Sequence, residues 1–117
     1  MNTLRETKEA IIRDPENWVI HLMDFVDDFR RYKNVEAISE PFELTHERWD
    51  ALLASTASQL CSELSLPIPP WLWDVPACND PWFVSGFENL KAIALVESPL
   101  HFRRRKIFVL ENFLSRV

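Results

Sequence analysis

Glycine is almost absent from this sequence, since the 117 residues contain only one, Gly86. Tight β-hairpins and phosphate-binding loops need glycine at several backbone positions. The shortage therefore argues against most all-β folds and against the glycine-loop nucleotide-binding motifs. Long apolar runs are also missing, because no stretch approaches the roughly 20 apolar residues that a membrane-spanning helix requires.

Cysteine is scarce as well, with Cys61 and Cys78 as the only two. They are far apart in sequence and do not form the closely spaced pairs that bind zinc. We expect a reduced pair, with a disulfide between them as the alternative. The first ten residues, MNTLRETKEA, lack the apolar segment of a signal peptide. We therefore expect a cytoplasmic protein.

Aromatic and aliphatic residues are plentiful by comparison. Apolar residues make up 47% of the chain and charged residues 26%, which is ordinary for a soluble globular protein. Eight phenylalanines and five tryptophans supply large side chains that can build a core. Together with the length, this composition predicts one helical domain over residues 1–117.

Helical periodicity is the main structural signal. Apolar residues recur at three- and four-residue steps in several segments, which predicts amphipathic helices. The predicted helices cover residues 3–13, 15–32, 46–64 and 87–97, and a short fifth helix begins at Ser98-Pro99. Thr45 is the predicted N-cap of the third helix, and Asp14-Pro15 and Ser98-Pro99 each place a capping residue before a proline. The predicted apolar positions include Leu4, Ile11 and Ile12 in the first helix and Phe87, Leu90, Ala94 and Leu95 in the fourth.

These features predict an all-α fold, a small bundle of four to five helices with one long connection rich in proline and tryptophan. The sequence KIFVL near the C-terminus fits either a short strand or a continuation of the helix. The last residues, ENFLSRV, are predicted to form a final helical turn or two.

The connection spans residues 66–82, LPIPPWLWDVPACNDPW, and contains five prolines and three tryptophans. Proline removes a backbone donor and stiffens the chain, which predicts an extended, semi-rigid segment. The segment is too apolar to be a free linker. We expect two of its three tryptophans to pack in the core and at least one to anchor a partner, and Trp71 and Trp73 are the candidates.

Charge is distributed unevenly along the chain. Residues 1–65 carry 13 acidic and 7 basic side chains, and residues 66–117 carry 5 acidic and 6 basic ones. These give net charges of −6 and +1, which add to the total of −5. The sequence thus has an acidic helical part, residues 1–65, and a basic C-terminal part, residues 83–117.

The stretch FRRRKIF concentrates four consecutive cations in this acidic chain. Successive residues advance by about 100° around a helix, so the four side chains cannot all face one surface. Either some of them pair with the acidic residues of the first half, or they contact a phosphate or an acidic site on another molecule. Arginine suits both, because its planar fork binds carboxylate and phosphate alike. The candidate partner-binding residues are Arg103, Arg104, Arg105 and Lys106, together with the two tryptophans.

The acidic second helix raises the possibility of a metal site. Asp24, Asp27 and Asp28 lie at helical spacing and could share a divalent cation, with His21 nearby. Intrahelical ion pairs from Asp27 to the following arginines explain the same residues without a ligand. We therefore expect no metal and no cofactor, and we keep a small enzyme or metal protein that uses these residues as an alternative.

Nucleophilic and acid–base motifs are not recognisable. His21, His46 and His101 have no partner at the spacing of a zinc-binding helix. No local Ser-His-Asp or Cys-His arrangement is present either. The sequence therefore predicts a protein without catalytic residues.

Residues 94–117, ALVESPLHFRRRKIFVLENFLSRV, resemble the end of small helical bacterial proteins encoded beside nucleotidyltransferase-type toxins. The resemblance rests on ESP, FRRR, IFV and NFLSR and covers about a fifth of the chain. It implies an antitoxin or companion protein that binds and restrains a cognate enzyme in the bacterial cytoplasm. The alternative is a small nucleic-acid-binding regulator that acts through Arg103 to Lys106.

Overall fold

Helices dominate the part of the chain that the structure describes. The computed structural model describes residues 2–84, 90–110 and 113–115. The α-helices in these ranges are α1 (Leu4–Arg13), α2 (Trp18–Tyr32), α3 (Glu47–Glu63), α4 (Pro70–Trp73), α5 (Lys91–Glu97) and α6 (Leu100–Arg103). Two short 3-10 helices cover Pro15–Asn17 and Val35–Ile38, and two short strands are β1 (Trp82–Phe83) and β2 (Ile107–Phe108). The prediction of a small helical bundle with one short strand near the C-terminus is confirmed.

Helix α1 begins where the sequence predicted. The side chain of Thr3 accepts a hydrogen bond of 3.1 Å from the backbone N–H of Glu6, which caps the first turn. Leu4 and Ile11 are buried, but Ile12 is exposed, so its predicted place in the apolar stripe was wrong. Residue 8, between Leu4 and Ile11 on the same helical face, is a buried lysine.

Helix α3 is the centre of the fold. It contacts α1, α2, α4 and α6, and its residues are buried continuously from Asp50 to Ser58. Several of these are small alanine and serine side chains, which let neighbouring helices approach from more than one side. A helix that is surrounded in this way organises the elements that precede and follow it in the chain.

The start of α3 differs from the prediction by one residue. The N-cap is His46, whose backbone N–H donates a hydrogen bond of 3.0 Å to Oδ2 of Asp50. Thr45 was wrongly predicted as the cap, because its hydroxyl instead accepts a hydrogen bond of 3.0 Å from Nζ of Lys8.

The connection of residues 66–82 is only partly extended. Pro70 starts the single turn of α4, where the missing N–H of a proline at the first helical position costs nothing. Trp71 and Trp82 pack against the core, whereas Trp73 is half exposed. Two of the three tryptophans therefore pack against the core, as the sequence predicted, and the anchoring of a partner by the third stays a prediction.

The end of this connection pairs with the C-terminal part of the chain. Strand β1 is parallel to β2, with Trp82 opposite Ile107 and Phe83 opposite Phe108. Lys106, just before β2, has a left-handed backbone with φ of 63°, and its carbonyl oxygen accepts a hydrogen bond of 2.8 Å from the N–H of Trp82. KIFVL therefore contains a strand, one of the two alternatives that the sequence left open.

Helices α5 and α6 lie between these strands in the chain. Within the described residues, α5 begins at Lys91, and the predicted start near Phe87 lies outside them. Ala94 is buried, but Leu95 is exposed and was wrongly predicted to be on the buried face. Ser98 does not cap α6 with its side chain, because its hydroxyl donates a hydrogen bond of 3.1 Å to the carbonyl oxygen of Ile107.

The last residues are described only in part. Phe113 and Leu114 form a turn, and the remainder of the predicted final helical turns, residues 111–112 and 116–117, falls outside the described ranges. Among the helices described, none has the length and apolar character needed to cross a membrane.

Candidate partner-binding surface

The four cationic side chains of residues 103–106 point in different directions, because α6 ends at Arg103 and the chain then turns into β2. Arg103, Arg104 and Lys106 are exposed, whereas only 2% of the surface of Arg105 is exposed. Within the described residues, none of the four lies in an ion pair with a carboxylate. The predicted pairing with the acidic first half is therefore not seen in this part of the chain.

Arg105 is an internal structural residue. Its Nε atom donates a hydrogen bond of 3.2 Å to the carbonyl oxygen of Val75, and its Nη2 atom donates to the carbonyl oxygen of Leu72. Its Nη1 atom lies 3.5 Å from both Oγ of Ser55 and the carbonyl oxygen of His101. The side chain thus ties α3, the end of α4 and α6 together.

The burial of Arg105 affects the pKa of its guanidinium group. Burial disfavours the charged guanidinium and, with the neighbouring charge of Arg104, lowers its pKa to about 10. It still carries its positive charge at neutral pH. Arg105 was predicted to contact a partner, and its burial removes it from the surface that a partner can reach.

Arg104 stacks on an exposed tryptophan. Its Cζ atom lies 4.2 Å from the ring centroid of Trp73, which is 50% exposed. A cation above an indole ring at this distance gains about 0.5–1 kcal/mol at an exposed site. The Cζ atom is the centre of the guanidinium group, which therefore lies over the ring. Its N–H groups have no hydrogen-bond partner among the residues described.

Arg103 is held by the end of α5. Its Nη2 atom donates hydrogen bonds of 2.9 Å to the carbonyl oxygen of Val96 and 3.1 Å to that of Ser98. These carbonyls belong to the C-terminal end of a helix, where a positive charge is favourable. Arg103 therefore has a fixed position relative to Val96, and its Nε and Nη1 atoms have no partner within the described ranges.

Two aliphatic side chains beside these arginines are strongly exposed. Val96 is 78% exposed and Leu100 is 70% exposed. Leu100 lies one helical turn before Arg104, whose backbone N–H donates to its carbonyl oxygen at 2.9 Å. We call the five residues Trp73, Val96, Leu100, Arg103 and Arg104 the arginine–tryptophan face. Tryptophan and arginine are the residue types that contribute most to the stability of protein–protein interfaces.

A serine and a histidine meet beside this face. Oγ of Ser62 lies 2.8 Å from Nε2 of His101, and the rings of His101 and Trp73 are 6.2 Å apart. Burial, and after it the charges of Arg104 and Arg105, lower the pKa of His101. Its Nδ1 atom is buried and has no hydrogen-bond partner within the described residues. A catalytic Ser–His pair needs a third group that orients the imidazole, and this pair has none there.

The other two predicted contact residues lie apart from the arginine–tryptophan face. Nε1 of Trp71 donates a hydrogen bond of 2.8 Å to the carbonyl oxygen of Ile38, and the ring packs edge-on against Phe42. Trp71 is therefore a core contact. Lys106 is exposed beside β1, with its Nζ atom 3.5 Å from the carbonyl oxygen of Asn79.

The acidic residues of α2 have partners of their own. Oδ2 of Asp28 accepts a hydrogen bond of 3.0 Å from the backbone N–H of Asn2. Nε2 of His21 lies 3.1 Å from Oδ2 of Asp14, and hydrogen bonds from Asn17 and His21 lower the pKa of Asp14. In residues 2–84, 90–110 and 113–115, no group of three or more His, Cys, Asp or Glu side chains could hold a metal ion.

Sequence reasoning missed Val96 and Leu100. Both lie next to the break at Ser98-Pro99, where one helix ends and the next begins. Periodicity within a single helix cannot say which residues face outward at such a junction. A signal for Val96 was present in the sequence, because it is apolar but was not among the predicted apolar positions of the fourth helix.

No protein-family model matches this chain, and no curated protein or solved structure is significantly similar to it.

Proposed function

We propose that this chain is a non-enzymatic interaction protein of the bacterial cytoplasm that binds and neutralises a partner enzyme, in the manner of an antitoxin. The partner class that we propose is a nucleotidyltransferase-type toxin. Two things support this proposal: the resemblance of residues 94–117 to companions of such toxins, and the composition of the arginine–tryptophan face.

The observation that carries the proposal is the Arg104–Trp73 contact, together with the strong exposure of Val96 and Leu100 in the same part of the chain as Arg104. Exposed aliphatic side chains next to aromatic and arginine side chains are typical of protein interfaces. The guanidinium groups of Arg103 and Arg104 have no carboxylate partner among the described residues, so they are available to a carboxylate of another protein.

A basic face of this kind suits the inhibition of a nucleotidyltransferase. Such enzymes bind divalent metal ions with acidic side chains and accept the phosphates of a nucleoside triphosphate. Exposed arginines on a partner are complementary in charge to that acidic site and can exclude the substrate from it. We propose Arg103 and Arg104 as the residues that make this contact, with Trp73 as the apolar anchor.

The alternative function is nucleic-acid binding through the exposed cations Arg103, Arg104 and Lys106. These three side chains favour it, because each can contact a phosphate. The net charge of −5 opposes it, since the rest of the chain repels a polyanion. We therefore place the protein partner first.

The test is inhibition of the enzyme encoded beside this chain. That enzyme's nucleotidyl transfer should fall to background when the chain is added in equimolar amount, and the two should elute together in size-exclusion chromatography. Activity that is unchanged at tenfold excess of this chain contradicts the proposal. Binding to RNA or duplex DNA at low salt, with affinity that falls steeply as salt rises, would instead support the alternative.

A further inference from the structure

We propose that the arginine–tryptophan face recognises one kind of segment in its partner: a glutamate or aspartate flanked by large apolar side chains. The carboxylate is held by Arg104, and the apolar side chains cover Val96 and Leu100. This inference rests on the proposed function and specifies the chemistry of the partner.

The Arg104–Trp73 contact restrains the position of the guanidinium group. The Cζ atom of Arg104 lies 4.2 Å from the ring centroid of Trp73, and the guanidinium N–H groups have no hydrogen-bond partner among the described residues, which leaves the N–H edge of the group open to a ligand. A carboxylate accepts two parallel hydrogen bonds from such an edge. Holding the donor in place before binding reduces the entropy that association costs.

The neighbouring side chains indicate what must lie beside the carboxylate. Val96 and Leu100 are the most exposed of the large apolar residues that the structure describes, at 78% and 70%. Arg103 fixes the end of α5 through its bonds to the carbonyls of Val96 and Ser98. The apolar and the cationic parts therefore lie in one fixed arrangement, which a segment with both kinds of residue can match.

Charge and shape favour a peptide carboxylate over a nucleic acid. One face of Trp73 is covered by Arg104 and cannot stack on a base, although stacking is a main source of affinity for single strands. Val96 and Leu100 offer a phosphate backbone no hydrogen bond. An acidic and apolar peptide satisfies both halves of the surface.

The experiment is selection from random peptides displayed on phage, with the full chain as the immobilised target. We expect the enriched peptides to contain Asp or Glu close to Leu, Ile, Phe or Trp. Enrichment of peptides without an acidic residue, or no enrichment over an empty support, overturns the inference.

A selected peptide then tests the residues by fluorescence polarisation. Arg104→Ala should weaken its binding about tenfold or more, as for the loss of an interface hot spot. Val96→Asp and Leu100→Asp should also weaken it. The matched control is Arg31→Ala, because the Cζ atom of Arg31 lies 5.2 Å from the ring of exposed Tyr32 on α2. Equal losses at Arg31 and Arg104 overturn the inference.

Further measurements distinguish the proposed peptide from other molecules that could bind the arginine–tryptophan face. The same peptide with Asn or Gln in place of its acidic residue should bind at least about tenfold more weakly. A fluorescent single-stranded RNA that binds more tightly than the peptide and depends on Arg104 would contradict the inference. If the chain forms dimers that Arg104→Glu dissociates, the occupant of the face is a second copy of the chain. That result would also contradict the inference.

The two proposals fail in different ways. The peptide selection uses no enzyme. If the selection fails but the chain still inhibits the enzyme, only the inference about the recognised segment is overturned. Successful selection without inhibition of the enzyme overturns the neutralising function and leaves the segment standing.

Discussion

The Nε atom of Arg105 donates a hydrogen bond of 3.2 Å to the carbonyl oxygen of Val75, 30 residues earlier in the chain. The backbone carbonyl of the same arginine accepts a hydrogen bond of 3.0 Å from the N–H of Cys78. Arg105 therefore holds the connection between α4 and β1 with both its side chain and its backbone. Its neighbour Arg104 lies on the surface, so adjacent arginines have different tasks.

Replacing Arg105 with methionine should lower the free energy of unfolding by about 2–4 kcal/mol. The substitution keeps most of the volume but removes two hydrogen bonds from a charged group to the buried carbonyls of Leu72 and Val75, and such bonds contribute about 1.5–3 kcal/mol each. The carbonyl of Leu72 keeps its bond of 3.3 Å from the N–H of Val75, whereas that of Val75 loses its side-chain donor. Removing the buried charge offsets part of that cost. Urea unfolding followed by tryptophan fluorescence measures the change.

The matched control is Arg104→Met, which should change the unfolding free energy by about 1 kcal/mol or less, because its side chain is exposed. If both variants lose the same stability, Arg105 does not have the internal role described above. A triple charge reversal at residues 103–105 is expected to unfold the chain, and interface tests should therefore leave Arg105 unchanged.

The stability of the chain should fall as the pH drops below about 6.5 through protonation of His101. Burial and the charges of Arg104 and Arg105 lower the pKa of this histidine from its ordinary value of 6.5, so the folded state favours the neutral ring. The unfolded chain binds the proton more readily, and the stabilisation is therefore complete above 6.5 and is lost as the pH falls toward the lowered folded value. Urea unfolding between pH 7.5 and pH 5 measures it.

The control for this prediction is His101→Gln, which removes the titrating ring and keeps a side chain able to bond Ser62. The difference between the two pH profiles isolates His101 from other groups. Asp14 does not interfere, because its pKa is lowered from 3.8 and its effect on stability therefore falls below pH 3.8. Parallel profiles for the two proteins would contradict the assignment.

The buried ion pair between α1 and α3 should be sensitive to the loss of one partner. Nζ of Lys8 lies 2.7 Å from Oδ1 of Asp50, and both side chains are buried. Lys8→Met should lower the free energy of unfolding by about 3–5 kcal/mol, because it leaves a buried carboxylate without its counterion. Thermal and urea unfolding provide the measurement.

Two comparisons complete that test. The double variant Lys8→Met/Asp50→Leu should recover a large part of the loss, since it removes both charges. Arg5→Met breaks exposed ion pairs with Glu9 and Glu40 and should cost at most about 1 kcal/mol. A Lys8→Met protein as stable as Arg5→Met would be inconsistent with a buried pair.

Both cysteines should react slowly in the folded chain. Burial raises the pKa of the Cys61 thiol from 9.0 to about 11, and burial, followed by the charge of Glu47, raises that of Cys78. The Cys61 shift alone lowers its thiolate fraction about 100-fold, and the thiolate is the reactive form. Labelling with a chromogenic disulfide reagent at pH 8, with and without urea, checks this, and equal rates in the two conditions would contradict it.

The long helices could be predicted from the sequence, because their buried faces repeat at helical spacing. The first predicted helix, residues 3–13, matches α1 within one residue, since Thr3 is an N-cap by its chemistry. The buried position of Lys8 could not be predicted from the same pattern. It depends on Asp50, which belongs to a distant helix and supplies the counterion.

The roles within the cationic run could be predicted only in outline. Helical geometry indicated that four cations could not share one surface, and they do not. Which of them turns inward depends on the carbonyls of Leu72 and Val75, which the proline-containing segment places beside α6. Strand β1 could not be predicted for a similar reason, since its two residues form a strand only by pairing with β2.

Part of the stretch that carries the resemblance, residues 94–117, lies inside the fold. Ser98, Phe102 and Arg105 belong to the motifs ESP and FRRR, and all three are buried. Their side chains hold the fold together, so part of the resemblance is accounted for by structure. Arg103 and Arg104 are the exposed residues of FRRR on which the proposed function depends.

The proposed function requires the arginine–tryptophan face to bind the partner enzyme. The most direct test is isothermal titration calorimetry with the enzyme encoded beside this chain. It gives the dissociation constants of that enzyme for the wild type, Arg104→Glu and Arg31→Glu. We predict that Arg104→Glu weakens binding about 100-fold or more, because a charge on the interface is reversed, and that Arg31→Glu binds like the wild type. Equal affinity of all three proteins for the enzyme would contradict the claim.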